Sequence, residues 1–151
     1  MAHDFDFLQG TWHSTHRRLV APLGESDEWE EFTGHQVARA IFDGAGNMDE
    51  ITFPDKGWGG LTVRLYNPET EMWSLHWISS RRDVIEPPQV GRFVDGRGEF
   101  FGDDIYEGTP IKVRYVWSDI TPTSAHWEQA FSTDGGQTWE TNWLMELTRV
   151  D

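Results

Sequence analysis

Ser132-Thr133-Asp134-Gly135-Gly136-Gln137-Thr138-Trp139 separates two segments in which apolar and polar side chains alternate. Such alternation is typical of half-buried β-strands. Asp134 can accept hydrogen bonds from backbone N–H groups just ahead of it, and Gly135 and Gly136 supply positive φ. The stretch therefore predicts a β-hairpin near the C-terminus, with strands over 124–131 and 140–148.

Further strand-like segments precede this hairpin, and turn residues separate them. Asn67-Pro68-Glu69-Thr70 is a clear turn, and 81–88 is the longest predicted loop. Short strands joined mostly by hairpin turns indicate an all-β fold, a single antiparallel up-and-down β-barrel of about ten strands over residues 1–151. A short N-terminal helical turn is predicted at 4–9, where Asp4 can cap it. The predicted strands before the hairpin are 11–20, 29–42, 47–53, 60–66, 72–79, 91–94, 99–101 and 111–118.

Alternation also divides the strands into an aromatic, apolar face and a mixed face. Trp73, Leu75 and Trp77 share one face of 72–79, opposite His76. We expect the aromatic face to point inward, because a barrel buries its apolar side chains. Under the reverse assignment, which stays open here, the polar interior would consist of Arg64, His76, Glu128 and Asn142.

Charge and composition exclude several classes of partner. The chain has 12 Lys and Arg against 26 Asp and Glu, a net charge of −14. Such an acidic protein repels phosphate backbones and anionic lipid, so we expect neither nucleic-acid nor membrane binding. No cysteine is present, which excludes disulfides and fits a cytoplasmic location. We also expect no signal peptide and no membrane helix.

The aromatic content is the unusual part of the composition. The chain has nine Trp and nine Phe, and nine Trp in 151 residues exceed what one small core needs. They can pack the interior of a barrel, or they can line a cavity for a small hydrophobic or aromatic molecule. Under the second interpretation, the predicted ligand-binding residues are Trp77, Tyr115, Trp117, Trp127, Gln129, Trp143 and Met145.

Two motifs resemble known ones. The 132–139 turn resembles the Asp-box, S-x-D-x-G-x-T-W, which recurs in unrelated β-proteins as a structural turn. Phe7-Leu8-Gln9-Gly10-Thr11-Trp12 resembles the G-x-W start of lipocalin-like (calycin) barrels, where the Trp closes one end. These resemblances imply how the fold is built and assign no chemistry.

Longer stretches are similar to an uncharacterised bacterial family of lipocalin-like proteins of unknown function. They are 3–8 with Gly10 and Trp12, then 127–132, and then 139–143. The resemblance implies a barrel with an internal cavity, and it supplies no reaction.

An enzyme built on the same barrel is the alternative, and whether the protein is an enzyme stays open. His16, His76 and Glu128 are its candidate catalytic acid–base groups. The histidines form neither H-x-H nor H-E-x-x-H, so we predict no metal site. His16 could face inward and hold a haem iron, as one histidine does in the related nitrobindin-like barrels, but the haem signatures of that group are not evident, so we predict no cofactor. Alternation places Glu128 on the outer face unless the interior is polar.

A third hypothesis is a structural module with a filled barrel, most simply a homodimer. It requires an exposed aromatic patch, for which Phe93, Phe100 and Phe101 are the candidates.

Overall fold

Ten antiparallel strands form a closed barrel in the computed structural model, which describes residues 2–151. Consecutive strands pair with one another, and β10 pairs with β1 to close the barrel. The predicted all-β up-and-down barrel is therefore confirmed. The strands β1 to β10 are Gly10–Leu19, Trp29–Ile41, Gly46–Phe53, Trp58–Asn67, Met72–Ser79, Gln89–Val94, Arg97–Tyr106, Thr109–Ser118, Ser124–Ser132 and Glu140–Arg149.

Strand β7 differs most from the sequence-based boundaries. It was expected over 99–101 but runs over Arg97–Tyr106, and so includes Asp103 and Asp104. Pairing with β8 extends it, with Asp103 opposite Lys112 and their side chains joined by a 2.6 Å ion pair. The strand length is thus set by its neighbour in the sheet.

The β9–β10 turn has the geometry that its sequence predicts. Asp134 Oδ1 accepts hydrogen bonds from the backbone N–H groups of Gln137 and Thr138, at 3.1 and 2.9 Å. Gly135 and Gly136 have φ of 75° and 95°. Hydrogen bonds from Thr138, and then from Ser132, lower the pKa of Asp134 well below its usual range. The carboxylate therefore holds the turn in its ionised form.

The N-terminal segment closes one end of the barrel. Its helical turn is a 3-10 turn over Asp6–Leu8, shorter than the predicted 4–9. Trp12 is fully buried beside it, and its Nε1 donates to the carbonyl of Leu8 at 2.8 Å. The Arg149 guanidinium stacks on the Trp12 ring at 4.2 Å and donates to the carbonyls of Phe7 and Gln9. Trp12 thus plugs this end, as the resemblance to lipocalin-like barrels implied.

The interior is formed by the aromatic face, and the reverse assignment is wrong. Trp73 and Leu75 are each 1 % exposed, whereas His76, between Leu75 and Trp77, lies on the outer face. At Gly60 the barrel wall leaves no room for a Cβ, because the Trp77 indole lies against the glycine. Glycine at this position lets a tryptophan ring lie flat over the neighbouring strand.

The predicted exposed aromatic patch is not formed. Phe100 is fully buried, and Phe93 packs against the same core. Only Phe101 points outward, where it contacts Trp139 at 6.0 Å between ring centroids. The error follows from the longer strand β7, in which Phe100 and Phe101 alternate between the two faces of the barrel.

Candidate functional site

A cavity of about 70 Å³ lies inside the barrel, and about 570 Å³ of space is unoccupied when its opening is counted. All seven predicted ligand-binding residues line it, from four of the ten strands. Side chains outside the predicted ligand-binding set complete the wall. They are Gln36, Asp49, Ile51, Phe53, Thr62, Arg64 and Leu75, together with His16.

Trp143 is the centre of the aromatic wall. Its ring meets Trp127 edge-on at 5.6 Å between centroids and Trp77 edge-on at 6.5 Å. Tyr115 packs on Trp127 at 5.2 Å. Edge-to-face pairs of this kind favour a fixed arrangement of rings, because the positive edge of one faces the negative face of the next. The wall therefore presents rigid apolar surface to the cavity.

His16 is part of this wall, and both of its ring nitrogens are engaged. Trp143 Nε1 donates to His16 Nδ1 at 2.9 Å, so the proton of the neutral ring lies on Nε2, which donates to Ser14 Oγ at 2.8 Å. The ring also stacks flat on Phe32 at 4.8 Å. Burial, followed by the charge of Arg18, lowers the pKa of His16 to about 4. His16 is therefore neutral at pH 7.

A buried ion pair forms the polar part of the wall. Arg64 Nη2 lies 2.5 Å from Asp49 Oδ2, and Arg64 Nη1 donates to Asn47 Oδ1 at 2.7 Å. Both charged side chains are less than 5 % exposed. Burial raises the pKa of Asp49, and the adjacent guanidinium opposes that change. The pair brings charged hydrogen-bonding groups into a largely apolar cavity at no net charge.

Two of the three candidate acid–base groups do not face the cavity. His76 points outward, and its Nε2 is hydrogen-bonded to Ser74 Oγ at 3.0 Å. Glu128 is on the outer face of β9, with its carboxylate 3.8 Å from His126. Both lie between inward-facing neighbours, so the strand alternation itself turns them away. Of the proposed catalytic set, the structure places only His16 at the cavity.

Asn142, the remaining residue of the polar-interior alternative, is buried but does not line the cavity. Its Oδ1 accepts a hydrogen bond from Gln129 Nε2 at 2.9 Å. A β-bulge between Thr141 and Trp143 displaces it from regular pairing. Asn142 therefore orients Gln129, a lining residue, without facing the cavity itself.

Two arginines stack on the tryptophans at the end of the barrel opposite Trp12. Arg18 lies 4.5 Å from the Trp143 ring centroid, and Arg81 lies 3.6 Å from that of Trp58. Burial, followed by the charge of Arg81, lowers the pKa of Arg18. These guanidiniums cover the aromatic edge of the wall through cation–π contacts.

Among residues 2–151, no group of three or more His, Asp or Glu side chains is arranged to hold a metal ion. Within the same range, no helix has the length and apolar character needed to cross a membrane.

Comparison with known proteins supports the fold. No known protein family matches the chain, and no curated protein sequence matches it either. The structure of the S-type phycobiliprotein lyase CPES from Guillardia theta is similar, with a TM-score of 0.56 and 15 % sequence identity. The similarity covers 97 % of this chain and 90 % of that one. At this identity it shows a shared lipocalin-like barrel, and it does not extend to function.

Proposed function

We propose that this protein binds a small apolar or aromatic ligand in the barrel cavity. The observation that supports this most is that Trp77, Tyr115, Trp127 and Trp143 surround unoccupied space instead of filling it. Close packing is the rule in protein interiors, and tryptophans that serve only stability fill the core they line. An aromatic wall around a cavity is typical of a ligand site.

The size of the cavity limits which part of a ligand it holds. A dry cavity of about 150 Å³ accommodates benzene. The cavity here, about 70 Å³, is smaller, so it accommodates one end of a molecule, with the remainder in the opening. We therefore propose a flat or narrow ligand that enters end-on between the indole rings.

The phycobiliprotein lyase with the similar barrel is compatible with this proposal, because its name says that it acts on a pigment-carrying protein. The enzymatic alternative lacks a comparable observation. His76 and Glu128 lie outside the cavity, and the neutral His16 ring already uses both nitrogens in hydrogen bonds.

A blocked cavity tests the proposal. Thr62 lines the cavity, and Val63, the next residue of β4, does not. Thr62→Phe places a ring inside, whereas Val63→Phe adds the same ring to the outer face. We expect toluene, phenol and acetophenone to give saturation-transfer NMR signals with the wild type and with Val63→Phe, and to lose them with Thr62→Phe. Absence of signal for every probe with the wild type, or equal signal with Thr62→Phe, would contradict ligand binding in the cavity.

A further inference from the structure

Three buried N–H donors of the cavity wall make no hydrogen bond within residues 2–151. They are Gln36 Nε2, Arg64 Nε and Trp117 Nε1. Their side chains are 1 %, 3 % and 1 % exposed, and all three line the cavity. Buried donors are paired in the great majority of cases, because an unpaired donor forfeits its hydrogen bond to water. Three unpaired donors around one cavity indicate a site for an acceptor.

The barrel brings these donors to one region. Gln36 pairs across to Ile51 of β3, and the next inward residue of that strand is Asp49, which contacts Arg64. From the opposite wall, the Trp117 ring packs against the Arg64 guanidinium, with 5.8 Å between the ring centroid and Arg64 Cζ. Asp49 therefore connects Arg64 to β3, the strand that pairs with the strand of Gln36, while Trp117 contacts Arg64 from the other side.

The charges in this region favour a neutral acceptor. Asp49 already balances the Arg64 guanidinium. A carboxylate or phosphate entering beside them would leave one buried negative charge without a counter-ion, which is costly at low dielectric. A carbonyl oxygen has two lone pairs that accept from N–H groups, and it adds no charge.

We propose that the cavity is a subsite for the carbonyl oxygen of an uncharged ligand, held by Gln36, Arg64 and Trp117. The inference rests on the proposed function and specifies its ligand class: an apolar or aromatic molecule with a ketone, quinone, lactone or amide carbonyl at the end that enters the barrel. The aromatic wall supplies affinity, and the donors select the polar end.

Three probes of nearly the same shape separate the possibilities. Acetophenone carries a neutral carbonyl, α-methylstyrene replaces that oxygen by a CH₂ group, and benzoate carries an anion. We expect calorimetric titration of the wild type to give a dissociation constant for acetophenone about tenfold lower than for α-methylstyrene, from the hydrogen bonds alone. Benzoate is expected to bind more weakly than acetophenone.

Two substitutions remove donors, and one serves as a control. Trp117→Phe deletes one N–H and keeps an aromatic ring, and Gln36→Leu deletes the amide at similar volume. Each is expected to reduce the preference for acetophenone over α-methylstyrene severalfold. Phe53→Leu changes the apolar wall at a lining residue that has no side-chain donor, so it should weaken both probes and preserve the preference. Circular dichroism checks that each variant folds.

The outcomes distinguish this inference from the proposed function. If none of the three probes binds, the proposed function fails, and the carbonyl site fails with it. The carbonyl site fails, while the proposed function stands, if α-methylstyrene binds as tightly as acetophenone. The same conclusion follows if Trp117→Phe and Gln36→Leu both leave the preference for acetophenone unchanged, because the donors would then bind water and not the ligand. Tighter binding of benzoate than of acetophenone would also overturn the neutral-acceptor assignment.

Discussion

The buried imidazole of His16 predicts a specific loss of stability in mild acid. Its pKa is lowered from 6.5 to about 4 in the folded barrel, so between these values the unfolded chain holds more protons than the folded one. The free energy of unfolding therefore falls as the pH falls through this interval, by about 1.4 kcal/mol per pH unit. The whole effect is about 3 kcal/mol, with no contribution from His16 above pH 6.5.

Urea unfolding at pH 7 and at about pH 5 isolates this term. Over that range we expect the wild type to lose about 2 kcal/mol more than a His16→Leu variant. The variant will be less stable at pH 7, because Trp143 Nε1 loses its acceptor, but that cost does not depend on pH. His35→Gln is the control, because it removes an exposed histidine and shows how much of the pH dependence of unfolding such a residue contributes. Equal pH dependence in the wild type and His16→Leu would refute the assignment of a neutral, buried ring.

Other substitutions test the parts of the barrel that position the cavity. Arg149→Met is expected to reduce the free energy of unfolding, measured by urea titration, by about 3 kcal/mol, because it removes charged hydrogen bonds to main-chain carbonyls. The same substitution at the exposed Arg39 is the control and should change this free energy little. Gly60→Ala should cost about 1–3 kcal/mol and alter the near-ultraviolet circular dichroism, because the new Cβ displaces the Trp77 indole; unchanged spectra would contradict the close contact. Asp134→Ala should speed amide hydrogen exchange in the β9–β10 turn while the strands remain protected, and slow exchange there would mean that the carboxylate is dispensable.

The fold and the aromatic wall were predictable because they depend on local patterns. Alternation with a period of two sets which face of a strand is buried, and it identified Trp77, Trp127 and Trp143 as inward residues. The same parity placed Glu128 outside, as the structure shows. The hairpin followed from Asp134 and its glycines, since a tight turn is specified within a few residues.

The polar part of the cavity was harder to predict, because it depends on long-range pairing. Charged residues are rarely buried, so Asp49 was not assigned to the interior, and Arg64 was assigned there only under the polar-interior alternative. Each becomes tolerable there only through the other, across strands β3 and β4. The sequence nevertheless contained an indication of this burial. Asp49 lies on the same face of its strand as Ile51 and Phe53, which are both buried.

Methyl NMR of Met145 tests the central claim most directly. The chain has four methionines, and Met145 lines the cavity whereas Met48 and Met72 lie outside its lining. In protein labelled with ¹³C at the methionine methyl groups, acetophenone should shift the Met145 signal in a saturable way and leave those of Met48 and Met72 in place. The Met145→Leu variant assigns the signal. A Met145 signal that does not respond, or shifts confined to Met48 and Met72, would contradict a ligand-binding cavity inside the barrel.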